Sequence, residues 1–256
     1  MTEFNKKIIP CVIGLGYVGL PVFIQLNKIF STVGFDKNKK RISTLNKSVD
    51  LNNEHLRKDL NLKKNSIYTS NSKDINKANF YIISVPTPIK NNNEPNLKDL
   101  VEVSKLLGKI IKSGDIIVFE STVYPGTTRM LVDKYLNKIS KLQEGKDYYV
   151  AYSPERINPG DKKHSISKVN KILAITTKKN HVKNKIKSVY SKVTKKLIIT
   201  DNIENAETAK VIENIQRDLN IALMNDIFIF SKKMNLDFKK ILKLASSKWN
   251  FLKFYP

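Results

Sequence analysis

The stretch that decides the fold is Ile8-Ile9-Pro10-Cys11-Val12-Ile13, followed at once by Gly14-Leu15-Gly16-Tyr17-Val18-Gly19. The short apolar run predicts a buried strand, and the helical spacing of residues 20–26 predicts a helix directly after the third glycine. Another apolar run at residues 31–36 predicts the next strand. Strand, glycine turn, helix and strand within about 30 residues form the βαβ unit of a parallel sheet.

The alternation of strands and helices continues along the chain. Helical spacing is seen at residues 99–111 and 127–139. Further apolar runs predict strands at residues 80–85, 115–120, 148–152, 172–175 and 197–199. Short apolar strands separated by helices predict an α/β fold with a doubly wound parallel Rossmann sheet.

The pattern changes at about residue 204 to one long helix through residue 233, with no internal proline or glycine. At 1.5 Å per residue it would span roughly 45 Å, which suits a connector between domains. We therefore predict an NAD-binding Rossmann domain over residues 1–203. Residues 204–256 would be a central connector helix and the incomplete beginning of an α-helical middle domain. The sequence closes on Trp249-Asn250-Phe251-Leu252-Lys253-Phe254-Tyr255-Pro256, and because an exposed aromatic end is costly we expect it to stop within a domain.

Composition excludes several classes of protein. The chain has 256 residues, a net charge of +23 and a single cysteine. One cysteine and three scattered histidines predict neither a disulfide framework nor a metal site, and they fit a reducing cytoplasm. No stretch approaches the roughly 20 apolar residues of a membrane span, so we expect no membrane partner.

The positive charge raises the question of nucleic acid, but its distribution argues against such a partner. Only five of the 46 basic residues are arginine, and the lysines are scattered from end to end. Nucleic-acid readers favour arginine and concentrate charge on one element. We therefore interpret the lysines as solvated surface residues, with a basic footprint for nucleic acid as the alternative.

The three glycines of the opening stretch carry the first functional prediction. Gly14 permits a tight turn, Gly16 lets a pyrophosphate approach the backbone, and Gly19 lets helix and strand pack closely. The predicted second strand ends in Asp36, whose carboxylate would accept ribose hydroxyls and favour NAD over NADP. Lys37 and Lys39 leave NADP open, and the alternative interpretation is a structural turn with a surface aspartate.

Other candidate residues follow later strands. The segments Ser84–Pro88 and Glu120–Thr128 place hydroxyls where strands end, and Ser153–Gly160 sets Glu155 beside Arg156. Ordinary loops and a surface ion pair are the alternatives. On the long helix, Lys210, Asn214 and Arg217 share one face, while apolar residues cover much of the rest. A polar stripe on a largely buried helix suggests a site, and a solvated stripe on a connector is the alternative.

Taken together, these segments resemble the UDP-glucose/GDP-mannose dehydrogenase family, most of all its branch that oxidises UDP-N-acetylglucosamine or UDP-N-acetylgalactosamine for surface polysaccharides. The motifs are Gly14-Leu-Gly-Tyr-Val-Gly-Leu-Pro21, Ser84-Val-Pro-Thr-Pro88, Glu120-Ser-Thr-Val-Tyr-Pro-Gly-Thr-Thr128, Ser153-Pro-Glu-Arg-Ile-Asn-Pro-Gly160 and Lys210-x-x-x-Asn214. They occur in the family's order from residue 8 to the end of the chain. Two further stretches, residues 214–225 and 248–252, carry the likeness to that branch.

The resemblance implies a four-electron oxidation of a nucleotide sugar at C6 with NAD as acceptor. It implies that Thr122 and Glu155 position or activate a water, and that Lys210 and Asn214 stabilise an oxyanion. It implies contacts to the UDP-sugar from Glu155, Arg156, Lys210, Asn214 and Arg217. The implied cofactor contacts are Gly14, Gly16, Tyr17, Val18, Gly19, Asp36, Arg41, Pro86, Thr87, Ser121 and Thr122.

The resemblance also implies what this chain lacks. The family's second oxidation uses a cysteine in a Gly-Gly-x-Cys segment beyond the aromatic stretch, and the family's UDP-binding C-terminal domain follows it. Cys11 lies in the predicted first strand, so we expect NAD binding without turnover by this chain. A non-catalytic NAD-binding or regulatory module is the alternative. The family further implies a homodimer in the full-length form. Neither the preferred sugar epimer nor the choice between fragment and natural truncation follows from the sequence.

Overall fold

The computed structural model describes residues 7–158, 160–161 and 165–254. Eight strands form one sheet in the order β3-β2-β1-β4-β5-β6-β7-β8. They are β1 (Pro10–Ile13), β2 (Val33–Phe35), β3 (Ile67–Thr69), β4 (Phe80–Ile83), β5 (Ile116–Phe119), β6 (Tyr149–Tyr152), β7 (Asn170–Ile175) and β8 (Lys196–Thr200). The predicted α/β class with a doubly wound sheet is confirmed.

Helices connect most of these strands. They are α1 (Gly19–Asn27), α2 (Lys39–Asn46), α3 (Lys98–Gly108), α4 (Thr127–Leu131), α5 (Lys138–Ser140), α6 (Asn180–Tyr190), α7 (Ile203–Lys233) and α8 (Phe238–Ala245). A π-helical segment, Val132–Asn137, joins α4 to α5, so the helix expected at residues 127–139 is present with a wider turn in its middle. Two short 3₁₀ segments, Arg57–Leu60 and Ser72–Lys77, flank β3.

Both faces of the sheet are buried, which explains why its central strands are apolar throughout. In β4, Phe80 and Ile82 pack into the core beneath α1 and α6, while Tyr81 and Ile83 pack into the core beneath α3 and α4. The same alternation holds in β5, where Ile116 and Val118 join the first core. A sheet covered on both faces has no need of polar residues in its inner strands.

The strand order places a crevice beside the glycine loop. β1 pairs in parallel with β2 on one side and with β4 on the other, so the winding of the chain reverses at β1. Open α/β sheets bind ligands outside the carboxyl ends of the strands at such a point. The loop of residues 14–18 leaves β1 there.

Two features of the sheet differ from the sequence prediction. The pair of β6 and β7 is antiparallel, whereas a parallel sheet was expected throughout. A parallel pair would need a long crossover, usually a helix. None of the described residues 153–158, 160–161 and 165–169 is helical. The edge strand β3 was not predicted, because three residues between polar segments give too short an apolar signal.

The chain divides into two compact units, Met1–Thr208 and Ala209–Pro256, and α7 runs across the boundary. In the second unit, Asp237 caps α8 by accepting hydrogen bonds from the backbone N–H groups of Lys239 and Lys240. The rings of Phe228 and Phe238 meet edge to face, 5.5 Å apart.

The expectation of a largely buried long helix is wrong for this chain. Four of the apolar side chains that were expected to bury it are more than half exposed, namely Ile212, Ile215, Leu219 and Leu223. Trp249 of the aromatic stretch is 92% exposed, and Tyr255 and Pro256 lie outside the described residues. Within the described part of the chain, no helix is both long and apolar enough to cross a membrane.

Candidate active site

The three glycines of the loop play different physical roles, as the space around each of them shows. Gly14 has a φ of +92°, and a Cβ there would lie 2.7 Å from the carbonyl oxygen of Ser84. A Cβ on Gly19 would lie 1.8 Å from the carbonyl oxygen of Gly14. A Cβ on Gly16 would meet nothing within 4 Å. Folding therefore requires Gly14 and Gly19, whereas the open space at Gly16 fits the approach of a phosphate to the backbone.

Asp36 lies at the end of β2, where the sequence placed the ribose contact. Its carboxylate accepts hydrogen bonds from the backbone N–H groups of Leu15 and Asn38, both at 2.9 Å. These bonds fix the carboxylate beside the glycine loop. The neighbouring Lys37, which left NADP open, pairs with Asp99 and Glu102 of α3. The residues present therefore favour the unphosphorylated ribose of NAD.

Arg41 lies beneath the glycine loop and is buried. Its Nε donates to the carbonyl of Leu15 at 2.9 Å, and its Nη1 lies 2.6 Å from Oδ1 of Asp50. Burial opposes ionisation of Asp50, but the arginine and backbone donors outweigh it, so the pKa of that carboxyl lies below its ordinary value. Arg41 thus braces the loop, and its Nη2 is buried without a hydrogen-bond partner. Asp50 gave no signal in the sequence.

The loops after β4 and β5 are tied to each other. The hydroxyl of Ser121 donates to the carbonyl of Val85 at 2.6 Å, and that of Thr87 donates to the carbonyl of Thr122 at 2.7 Å. Parallel pairing of β4 and β5 brings these strand ends side by side. The predicted residues Pro86, Thr87, Ser121 and Thr122 therefore share one wall.

One cavity unites most of the predicted residues of the first unit. Its volume is about 670 Å³, within the usual range for cofactor sites. The predicted residues that line it are Gly14, Gly16, Tyr17, Val18, Asp36, Arg41, Pro86, Thr87, Ser121, Thr122 and Glu155. Gly19 and Arg156 are not among the lining residues. Gly19 packs against Gly14 instead, and Arg156 is half-buried.

Glu155 follows β6 and is held by its own loop. Its Oε1 accepts hydrogen bonds from the backbone N–H groups of Arg156, at 2.6 Å, and of Ile157. Its Oε2 faces Lys171 of β7 at 3.8 Å. Lys171 also lies 3.2 Å from Oε1 of Glu120, at the end of β5. Neither Glu120 nor Lys171 was predicted as a site residue, because Lys171 precedes the apolar run of residues 172–175 and resembles the chain's many surface lysines.

The loop after β5 has a second anchor that sequence reasoning missed. Glu207, near the start of α7, is completely buried. Its carboxylate accepts hydrogen bonds from the backbone N–H groups of Gly126 at 2.7 Å and Thr128 at 3.0 Å. A glutamate on a helix carries no distinguishing signal. Its bonds fix the loop that carries Thr122.

The remaining predicted residues lie on α7 in the second unit. The Nζ of Lys210 donates to Oε1 of Glu213 at 3.2 Å, and Nη2 of Arg217 donates to Oδ1 of Asn214 at 2.8 Å. Lys210, Asn214 and Arg217 share one helix face, as their spacing predicted. Among the described residues there is no group of histidine, cysteine and acidic side chains that could hold a metal ion.

A sheet that reverses at β1, a glycine loop at that point and a carboxylate at the end of β2 define a dinucleotide-binding Rossmann domain. The chain belongs to the UDP-glucose/GDP-mannose dehydrogenase family. Residues 7–194 match the NAD binding domain of this family, and residues 204–256 match its central domain. The cofactor of this domain is accordingly NAD.

Several characterised proteins are similar to this chain. A UDP-N-acetyl-D-glucosamine 6-dehydrogenase of Salmonella typhi is 45% identical over 96% of the chain and 57% of its own length. A protein of the same name from Pseudomonas aeruginosa is 42% identical over 98% of the chain and 59% of its own length. The solved structure of a UDP-D-ManNAc dehydrogenase from Pyrococcus horikoshii superposes with a TM-score of 0.88 at 28% identity, over 97% of this chain and 60% of that one. The chain thus spans somewhat more than half the length of these relatives.

Proposed function

We propose that this chain is the cofactor-binding portion of an NAD-dependent UDP-N-acetylhexosamine 6-dehydrogenase. The reaction would convert the C6 alcohol of the sugar to a carboxylate, with one water consumed and two NAD⁺ reduced. The observation that carries the proposal is that the glycine loop and Asp36 line the same cavity as Thr122 and Glu155. The similarity to UDP-N-acetyl-D-glucosamine 6-dehydrogenases supports the choice of substrate class.

The residues that line the cavity suit different parts of the cofactor. NAD⁺, when bound, supplies a hydride acceptor. The open backbone at Gly16 and the N-terminus of α1 would hold its pyrophosphate, with Tyr17 and Val18 beside it. Asp36 would accept the ribose hydroxyls, and the wall of Pro86, Thr87 and Ser121 would face the other half of the dinucleotide.

Thr122 and Glu155 are proposed to act on the water. Glu155 lines the cavity, and a carboxylate there can accept a proton from a bound water. Thr122 lines the same cavity and can orient that water through its hydroxyl. Lys210 and Asn214 are proposed to stabilise the oxyanion at C6, and Arg156 and Arg217 to contact the UDP-sugar.

The chain's own thiol does not suit the second oxidation. Cys11 is completely buried in β1, and burial raises the pKa of its thiol far above the ordinary value. A thiolate is the nucleophilic form, so this cysteine would be inert. We therefore propose that the chain binds NAD but does not by itself complete the oxidation.

The test combines binding and turnover. Calorimetric titration of the chain with NAD⁺ and, separately, NADP⁺ should show tighter binding of NAD⁺. Incubation with NAD⁺ and UDP-N-acetylglucosamine or UDP-N-acetylgalactosamine should give no steady NADH production. Absence of NAD⁺ binding would contradict the proposed cofactor role, and NADH production to two per sugar would contradict the proposed inertness of the chain.

We infer two further properties of the full-length form. The exposed apolar side chains of α7 support burial of that helix in a homodimer. A single cysteine supports a cytoplasmic location. The proposal gives the lysines no role in nucleic-acid binding. Binding to DNA should therefore be weak and unsaturable, without the steep dependence on salt concentration that a basic footprint would give.

A further inference from the structure

Three charged side chains form a buried cluster behind the wall of the cavity. We name Glu120, Lys171 and Glu155 the buried triad. Glu120 and Lys171 are completely buried, and Glu155 is 7% exposed. The triad joins three neighbouring strands, because the residues lie at the end of β5, within β7 and just after β6. Charges are rarely buried without a reason, since desolvation costs several kcal/mol per ion.

The single positive charge of the triad lies between two carboxylates. The Nζ of Lys171 is 3.2 Å from Oε1 of Glu120 and 3.8 Å from Oε2 of Glu155. Burial alone would lower the pKa of Lys171, but the two carboxylates outweigh it and hold the pKa above its ordinary value. Lys171 is therefore protonated, and the triad carries one surplus negative charge when both carboxyls are ionised.

The ionisation of Glu120 depends on the groups that surround it. Burial raises the pKa of the Glu120 carboxyl, Lys171 opposes this rise, and Glu155 adds to it. Two tyrosine hydroxyls face the triad from the packed elements. Tyr190 of α6 donates a hydrogen bond to Oε1 of Glu120 at 2.7 Å, and Tyr152 of β6 donates to the carbonyl of Ser121. Burial raises the pKa of both hydroxyls, so both stay neutral in the working range.

We propose that Lys171 is a positioning residue for Glu155: its ammonium group holds the Oε2 side of the carboxylate in place beside the cavity, with Glu120 as the counter-charge that anchors Lys171. The inference rests on the proposed role of Glu155 toward water. Loop donors hold only Oε1, so Lys171 is the one described cation that pairs with the other oxygen. An ammonium group between two buried carboxylates favours the ionised form of the pair.

The proposal predicts a specific consequence of removing the ammonium group. In Lys171→Met, two buried carboxylates would remain near each other without a cation. Like charges in one site cannot both ionise easily, so the pair would bind a proton at neutral pH. If Lys171 only filled space in the core, its removal would give a loss of packing with no change in protonation.

The experiment uses the full chain with ¹³C-labelled glutamate and carboxyl NMR. The signals of Glu120 and Glu155 are identified by their loss in Glu120→Gln and Glu155→Gln. Between about pH 5 and pH 9, the carboxyl pair of Lys171→Met should lose its last proton at higher pH than the pair in wild type. Lys171→Arg should restore the wild-type titration, and Lys178→Met, which removes an exposed lysine seven residues further along, should leave it unchanged. Superimposable titrations of wild type and Lys171→Met would overturn the proposal.

Urea unfolding at several pH values gives the second readout. A carboxyl whose folded pKa is raised stabilises the fold at low pH, and that stabilisation is lost as pH rises. The unfolding constant of Lys171→Met relative to wild type should therefore grow with pH, by up to about tenfold per pH unit. A ratio that is constant with pH would indicate a structural role only.

A further variant keeps the test decisive if Lys171→Met does not fold. Glu120→Gln leaves Lys171 and Glu155 as a neutral pair. Because burial raises the pKa of the Glu120 carboxyl in the folded protein, the unfolding constant of wild type divided by that of Glu120→Gln should grow with pH above about 4.5. A constant ratio there would also overturn the proposal. No readout uses turnover or NAD, so a failure here leaves the proposed function standing, and a failure of NAD⁺ binding leaves these results intact.

Discussion

Gly16→Ala separates what the glycine loop does for folding from what it does for the cofactor. A Cβ at this position would meet no atom of the described residues within 4 Å, and Gly16 is not among the glycines with a left-handed φ. The substitution should therefore change the free energy of unfolding by no more than about 1 kcal/mol. The same Cβ would occupy space that the pyrophosphate needs. Overpacking of a close contact costs about 1–3 kcal/mol, which corresponds to a Kd for NAD⁺ that is weaker by about fivefold to about 150-fold.

Gly19→Ala is the matched comparison. Its Cβ would lie 1.8 Å from the backbone oxygen of Gly14, and no side-chain rotation can relieve a backbone contact. We expect a loss of about 3 kcal/mol or more in stability. Urea unfolding and calorimetric titration with NAD⁺ on both variants give the two quantities. Binding of NAD⁺ by Gly16→Ala as tight as that of wild type would contradict a phosphate contact at Gly16, and a loss of stability equal to that of Gly19→Ala would contradict the open space beside Gly16.

Three further predictions concern the supports of the site. Glu207→Gln should lower the free energy of unfolding in urea by about 1–3 kcal/mol, because a buried carboxylate accepts two backbone hydrogen bonds. Glu204→Gln, whose pair with an arginine is surface-exposed, should change it by less than about 1 kcal/mol, and equal effects would contradict the assignment. Asp50→Asn should be less stable than wild type above about pH 4, and the gap should shrink as pH falls further, because the folded pKa of Asp50 is depressed; a gap independent of pH would exclude this cause. Asp99→Asn should leave Lys37 paired only with Glu102, at 3.4 Å, and should strengthen NADP⁺ binding by about two- to fivefold while NAD⁺ binding stays the same; unchanged NADP⁺ affinity would show that the Lys37–Asp99 pair plays no part in selectivity.

The part of the site that could be predicted from sequence is the part built from consecutive residues. Gly14, Gly16 and Gly19 each act within one turn, so their spacing alone encodes the geometry of the loop. Asp36 was predictable because the length of a βαβ unit fixes where the second strand ends. The inner strands were predictable because burial on both faces makes them continuously apolar.

The part that could not be predicted depends on contacts between distant strands. Lys171 is separated from Glu120 by 51 positions in the chain, and its partners follow from the strand order rather than from its neighbours. Its place in β7 also depends on the antiparallel pairing with β6, which no periodicity distinguishes from a parallel one. Pairing register, and with it the buried triad, needs the three-dimensional structure.

The net charge of the chain says little about how the cavity recognises an anionic cofactor. The protein carries +23 overall, yet acidic side chains outnumber basic ones in the lining of the cavity. The acidic ones are Asp36, Asp99, Glu102, Glu120 and Glu155, and the basic ones are Lys37 and Arg41. Both cations are already paired with carboxylates. We therefore expect the attraction of the phosphates to come from backbone N–H groups at the start of α1, whose strength depends on loop geometry and not on the lysines. This explains how a lysine-rich surface can coexist with a cavity in which an additional ribose phosphate would meet mostly negative charge.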